Sequence, residues 1–86
     1  MPEVSSFYGI RVTMYYDDHN PPRFHAEYNG SKIIVDIIKG KVIEGSFPSK
    51  QLKLILAWAV IHQEELMENW KLAGLGKPLN RIKPLI

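Results

Sequence analysis

Between Tyr15 and Tyr28 the chain concentrates most of its reactive side chains: Asp17, Asp18, His19, Arg23, His25 and Glu27, interrupted by Asn20-Pro21-Pro22. Imidazole can take or give a proton near neutral pH, a carboxylate can orient it, and a guanidinium can hold a phosphate. Together they are adequate equipment for general acid–base chemistry on a phosphodiester. Alternation decides which of them can act together, because successive side chains of an extended chain point to opposite faces. Arg23, His25 and Glu27 then share one face, and Phe24, Ala26 and Tyr28 the other. Tyr15, with Arg11 and Thr13, falls on the same polar side of the preceding segment, and Asp36, with Ile34 and Ile38, on that of the following one. The expected catalytic group is His25 as acid/base, Arg23 as phosphate clamp, and Tyr15 and Glu27 as supports; His19, Asp18 and Asp36 are secondary candidates. The competing reading is a solvated sheet face whose Arg and Glu side chains pair across strands.

A metal is the other chemistry these residues offer. His19 and His25, with Asp17 or Asp18, are reasonable ligands for zinc or manganese. Their spacing matches no specific metal signature, and His19 falls in a turn while His25 falls on a strand, so neither metal nor cofactor is expected. The absence of cysteine excludes disulfides and thiolate sites. The glycines at 30, 40, 45, 74 and 76 stand at turns or helix ends, not in a phosphate-binding loop. No serine or cysteine nucleophile is recognisable, and His62 reads as a partly buried helix residue at the border of the apolar stripe. Lys77, Arg81 and Lys83 make the end of the chain basic, and three such charges beside Trp70 could touch phosphates.

These side chains need elements to position them. "IRVTMYY" (10–16) alternates Ile10, Val12, Met14 and Tyr16 against Arg11, Thr13 and Tyr15, the pattern of a half-buried strand. Asp18 to Pro22 stop it. The second strand spans 23–28, and Asn29-Gly30 predicts a tight hairpin turn, since both residues tolerate positive φ. "KIIVDII" (32–38) is apolar on both faces except for Asp36, as a central strand would be, and "VIEG" (42–45) is a short last strand. Ser49 is the expected cap of one long helix over about 50–72, ending near Gly74 and Gly76.

On that helix Leu52, Ile55, Leu56, Ala59, Leu66 and Trp70 share a face that should cover Val12, Met14, Phe24, Ala26, Val35 and Ile37. A second apolar stripe, Leu54, Trp58, Ile61 and Leu72, predicts an interface, covered either by the tail 77–86 or by another chain, which could be a second copy. The fold class is α+β: a four-stranded antiparallel meander with one long C-terminal helix on one face and an extended tail. Length and composition suit one soluble domain over residues 1–86, with 45% hydrophobic and 23% charged residues. A net charge of +2 implies no nucleic-acid binding by itself. The N-terminus lacks the pattern of a signal peptide and "LILAWAVI" is too short to cross a bilayer, so the expected compartment is the cytoplasm, with no membrane partner.

The string "FYGIRVTMYYDDHNPPRFHAEY", then "IEG" before a helix, "HQEELMENW" within it and "IKPL" near the end, resembles the small prokaryotic family catalogued as domain of unknown function 4160. The most specific part is the run Asp18-His19-x-Pro21-Pro22-x-Phe24-His25-Ala26; where members usually carry a second histidine this chain has Arg23. The family has no assigned reaction. Members often look like one half of a two-gene unit, beside a small protein of the family numbered 2442, and that layout implies a toxin–antitoxin-like or regulatory pair. The expectation is a cytoplasmic protein acting through a small partner protein encoded nearby, with any activity directed at nucleic acid. The rivals are a non-enzymatic protein-interaction module and a metal-dependent enzyme.

Overall fold

The computed structural model describes residues 2–85; Met1, and Ile86 at the end of the expected tail, lie outside the described residues. Five strands precede two helices: β1 (Glu3–Phe7), β2 (Ile10–Thr13), β3 (Arg23–Tyr28), β4 (Ser31–Asp36), β5 (Lys41–Gly45), α1 (Ser49–Ile61) and α2 (Gln63–Gly74). The strands form one antiparallel meander in the order β1-β2-β3-β4-β5. The α+β class and antiparallel sheet agree with the sequence reading. The number of elements does not.

The missed strand is β1. Its sequence, Glu-Val-Ser-Ser-Phe, shows no clean alternation because a bulge interrupts the pairing between Glu3 and Ser5, placing both Val4 and Phe7 in the core. The β1–β2 turn uses Tyr8 at φ 49° and Gly9 at φ 79°, and the β3–β4 turn uses Asn29 at 49° and Gly30 at 87°. Both residues of each turn have positive φ, which matches the right-handed twist of the strands they join. Asn-Gly announces such a turn, whereas Tyr-Gly does not.

The expected single helix is interrupted at His62, which adopts φ −109° and ψ 25°. At this point Gln63 donates through Nε2 to the carbonyls of Ile37 and Ile38, both at 3.1 Å, tying the helix to the end of β4. Ser49 is the first helical residue, not a side-chain cap; Pro48 precedes the helix and its carbonyl accepts from Leu52 N–H at 2.9 Å. Gly76, at φ 70°, closes α2: its N–H donates to Ala73 O, and Lys77 N–H to Leu72 O. That pair of bonds is a Schellman motif.

Both helices cover one face of the sheet. Val12, Met14, Phe24, Ala26, Val35 and Ile37 are buried there against Ile55, Ala59 and Leu66, with Leu52, Leu56 and Trp70 half-buried around them. Trp58 also belongs to this core, with no exposed surface. Its ring lies 5.4 Å from Phe7 and 5.7 Å from Phe24, and its Nε1–H donates to Lys83 O at 2.9 Å. The additional strand supplies Phe7, which is why one sheet covers more of the helix than four strands would.

The tail returns across the helices to the β1 edge. Asn69, fully buried, donates to Asn80 O and accepts from Asn80 N–H, each at 2.9 Å. Ile82 is buried and its N–H donates to Val4 O at 2.7 Å. Glu3 pairs with Arg81 and Arg11, each at 3.0 Å, and these bonds, that of Arg81 first, hold its carboxyl below the usual carboxylate range. Among the described residues no helix is long and apolar enough to cross a membrane.

Candidate functional site

The sheet face opposite the helices carries Arg11 and Thr13 from β2, His25 and Glu27 from β3, Lys32 and Ile34 from β4, and Glu44 from β5. Register sets their neighbours: Thr13, His25, Ile34 and Glu44 lie in one row, and Arg11, Glu27 and Lys32 in the next. A half-open concavity of about 250 Å³ sits on these rows, lined by Thr13, Tyr15, His25, Glu27, Lys32 and Glu44 among others. Gly45 shapes its rim. At φ 86° it brings β5 so close to β4 that a Cβ there would stand 2.1 Å from Lys32 O. The expected meeting of His25, Glu27 and Tyr15 therefore occurs.

His25 is held by a residue that sequence reasoning ranked second. Its Nε2 lies 2.8 Å from Oδ2 of Asp18, and Oδ1 of Asp18 accepts from His19 N–H at 2.9 Å. The Asp18 side chain is nine-tenths buried, and the Tyr15 ring meets the His25 ring edge-on at 4.5 Å. A carboxylate fixed by a backbone N–H and bonded to Nε2 selects the tautomer that carries its proton there. Nδ1 is then the nitrogen free to accept a proton. Asp18 lies outside strand alternation, on the connection between β2 and β3, so the period-two rule could not bring it to His25.

Arg23 and Asp36 are not part of this group. Both are buried, opposite one another in register, and each is committed to a turn. Arg23 donates through Nε to Pro21 O at 3.2 Å and through Nη2 to Asn20 O at 3.1 Å, which pins the Asn20-Pro21-Pro22 connection. Asp36 accepts from Lys39 N–H at 2.8 Å through Oδ1, ordering the β4–β5 turn. Nε and Nη2 of Arg23 are engaged by backbone carbonyls, and Arg23 does not line the concavity. Lys32 is the cation that borders the concavity instead. His19 is exposed on the connection and does not line the concavity that His25 borders. Among the described residues no three His, Asp or Glu side chains are grouped to hold a metal.

The expected interface stripe is divided. Trp58 is core and has no surface left for a partner; Leu54 and Leu72 are half-buried; Ile61 is 65% exposed beside Val60 at 69%. His62 is largely covered, its ring tilted against Trp58 at 5.5 Å and its Nδ1 bonded to Glu65. A second cleft, of about 260 Å³, opens between the β2–β3 connection and α2. Tyr15, Tyr16, Asp18, His19, Asn20 and Trp70 line it, over Ala73 and Gly74. Sequence reasoning did not find this cleft, because nothing local pairs residues 15–20 with 70–74.

The family model described as "Domain of unknown function (DUF4160)" matches residues 9–71, which include β2 to β5, α1, most of α2 and the whole Asp18–His25 connection. No curated protein and no solved structure matches the chain.

Proposed function

The chain belongs to the DUF4160 family of domains of unknown function, and from that footing we propose that it is one half of a toxin–antitoxin-like or regulatory pair in the prokaryotic cytoplasm, carrying acid–base activity directed at nucleic acid. The observation that supports this reading is the Asp18–His25 pair at 2.8 Å, bordering a concavity that Glu27, Lys32 and Tyr15 also line. In this proposal the phosphodiester lies in the concavity. His25 accepts the proton of the attacking hydroxyl at Nδ1, and Asp18 stabilises the imidazolium that results. Lys32 offsets charge on the phosphate, and Glu27 or Tyr15 is placed to handle the second proton. The two-gene layout implied by the family resemblance supports the partner.

The test is cleavage of labelled RNA and DNA by the purified protein, alone and with its neighbouring gene product. His25→Ala should lower the rate by roughly 10²–10⁴-fold with the fold intact, and Asp18→Asn, which disturbs the tautomer, should also lower it. No cleavage under either condition, or full cleavage by His25→Ala, refutes the proposal.

A specific observation favours a non-enzymatic interaction module as the second reading. Val60 and Ile61, adjacent at the end of α1, are exposed by 69% and 65%, and Ile38, whose carbonyl accepts from Gln63 just beyond them, by 58%. Partner binding that survives His25→Ala and is lost in Val60→Glu would support this reading over the first.

A further inference from the structure

The cleft between the β2–β3 connection and α2 has no role in the acid–base reading, yet it shares two residues with that machinery. Tyr15 lines both the cleft and the sheet concavity; Asp18 lines the cleft while its partner His25 lines the concavity. We propose that this cleft binds an unpaired nucleobase of a single-stranded nucleic acid, placing the adjoining phosphodiester at His25. The inference deepens the proposed function and rests on it, for it names the form of the substrate.

Three observations carry it. Tyr15, Tyr16 and Trp70 give the cleft aromatic walls, and every base has a face to stack on such rings. Ala73 and Gly74 also line it, and a Cβ added to Gly74 would meet nothing within 4 Å, so small residues leave the space beside the last turn of α2 open. His19 and Asn20 stand at its margin, and a carboxamide both donates and accepts, as the hydrogen-bonding edge of a base requires. The charged carboxylate in the lining, Asp18, is already engaged by His25 and by the His19 N–H, so it does not make the cleft a bare anionic pocket. A paired base could not enter, because its edge and faces are occupied in the duplex.

The experiment separates binding from cleavage. Binding is read by fluorescence anisotropy of a labelled, all-deoxy single strand, which lacks the 2′-hydroxyl needed for RNA-type attack. It is compared with the same sequence as a duplex, with free mononucleotides as competitors, and with a labelled arginine-rich peptide. Wild type should prefer the single strand. Gly74→Leu, which fills the cleft from an exposed helix position, and Tyr16→Ala should each weaken binding by about tenfold or more, as Trp70→Ala should. Circular dichroism checks that each variant folds. Equal affinity for strand and duplex, or unchanged binding by Gly74→Leu and Tyr16→Ala, overturns the inference. So does a mononucleotide that competes as well as the strand, or a peptide whose binding is the one these variants abolish. Single-strand binding that depends on the cleft, without cleavage of RNA or DNA by wild type alone or with its neighbouring gene product, sinks the acid–base reading and supports the base site.

Discussion

Trp58 is the residue whose replacement best distinguishes a core from an interface. It is fully buried between Phe7 and Phe24, and its indole N–H reaches Lys83 O. Trp58→Phe keeps a ring but loses that hydrogen bond, a net cost of about 1 kcal/mol. The smaller ring also gives up roughly 40 Å² of apolar contact, another ~1 kcal/mol at about 25 cal/mol per Å². Trp58→Ala costs about 3–5 kcal/mol for the aromatic side chain, and the lost hydrogen bond adds about 1 kcal/mol. Against ~4–13 kcal/mol expected for a domain of this length, the phenylalanine variant should fold. The alanine variant should stand near the limit of folding. Urea titration followed by circular dichroism should show the midpoint fall with the slope unchanged for Trp58→Phe, and Tm should drop by about 8–16 °C. Molar mass by light scattering should not change. A Trp58→Ala protein as stable as wild type but altered in mass would refute the core assignment and return Trp58 to an interface.

Asn69→Ala removes both hydrogen bonds to Asn80; stability should fall by about 2 kcal/mol, and the Ile82 amide should exchange with deuterium faster than the Phe24 amide does relative to wild type. The lowered Glu3 pKa predicts a pH effect: a depressed folded-state pKa contributes stability that is present above the unfolded value, about 4.3 for Glu, and is lost as pH falls through the folded value. Thermal melts from neutral pH downwards should therefore show a shallower acid-side loss for Glu3→Gln than for wild type, and identical slopes would count against the Glu3–Arg81–Arg11 cluster.

The elements legible in the sequence were those whose signals are local. β3 runs from Arg23 to Tyr28 as its alternation indicates, and Asn29-Gly30 turns with positive φ at both residues. The bulged β1 breaks the period, so the pattern does not mark Phe7 as core, and without Phe7 the helix carries one apolar stripe more than a four-stranded sheet can cover. The interruption at His62 has no Pro or Gly to announce it. It coincides with the Gln63 side chain bonding to the carbonyls of Ile37 and Ile38, a contact across twenty-five or more residues that periodicity does not contain.

The candidate site divides along the same line. Period two placed His25 and Glu27 on one face and Phe24 and Ala26 on the other, and that much needs only the strand. Which residue holds His25 depends on how the β2–β3 connection folds over the sheet edge. Arg23 uses its guanidinium to fix that connection by bonding Asn20 O and Pro21 O, and Asp18, a few residues earlier, reaches Nε2 of His25. Those two bonds favour a positioning role for Arg23, on the loop that carries the carboxylate, over the expected phosphate contact. A variant that shortens it, Arg23→Lys, keeps the charge but not the two-pronged geometry. Its effect on any activity should therefore resemble that of Asp18→Asn, a disordered imidazole, and not the uniform loss of binding that removing a phosphate contact gives. If Arg23→Lys instead weakens nucleic-acid binding while leaving the His25 ring ordered, as seen by its NMR resonances, the clamp role would be restored and the positioning role rejected.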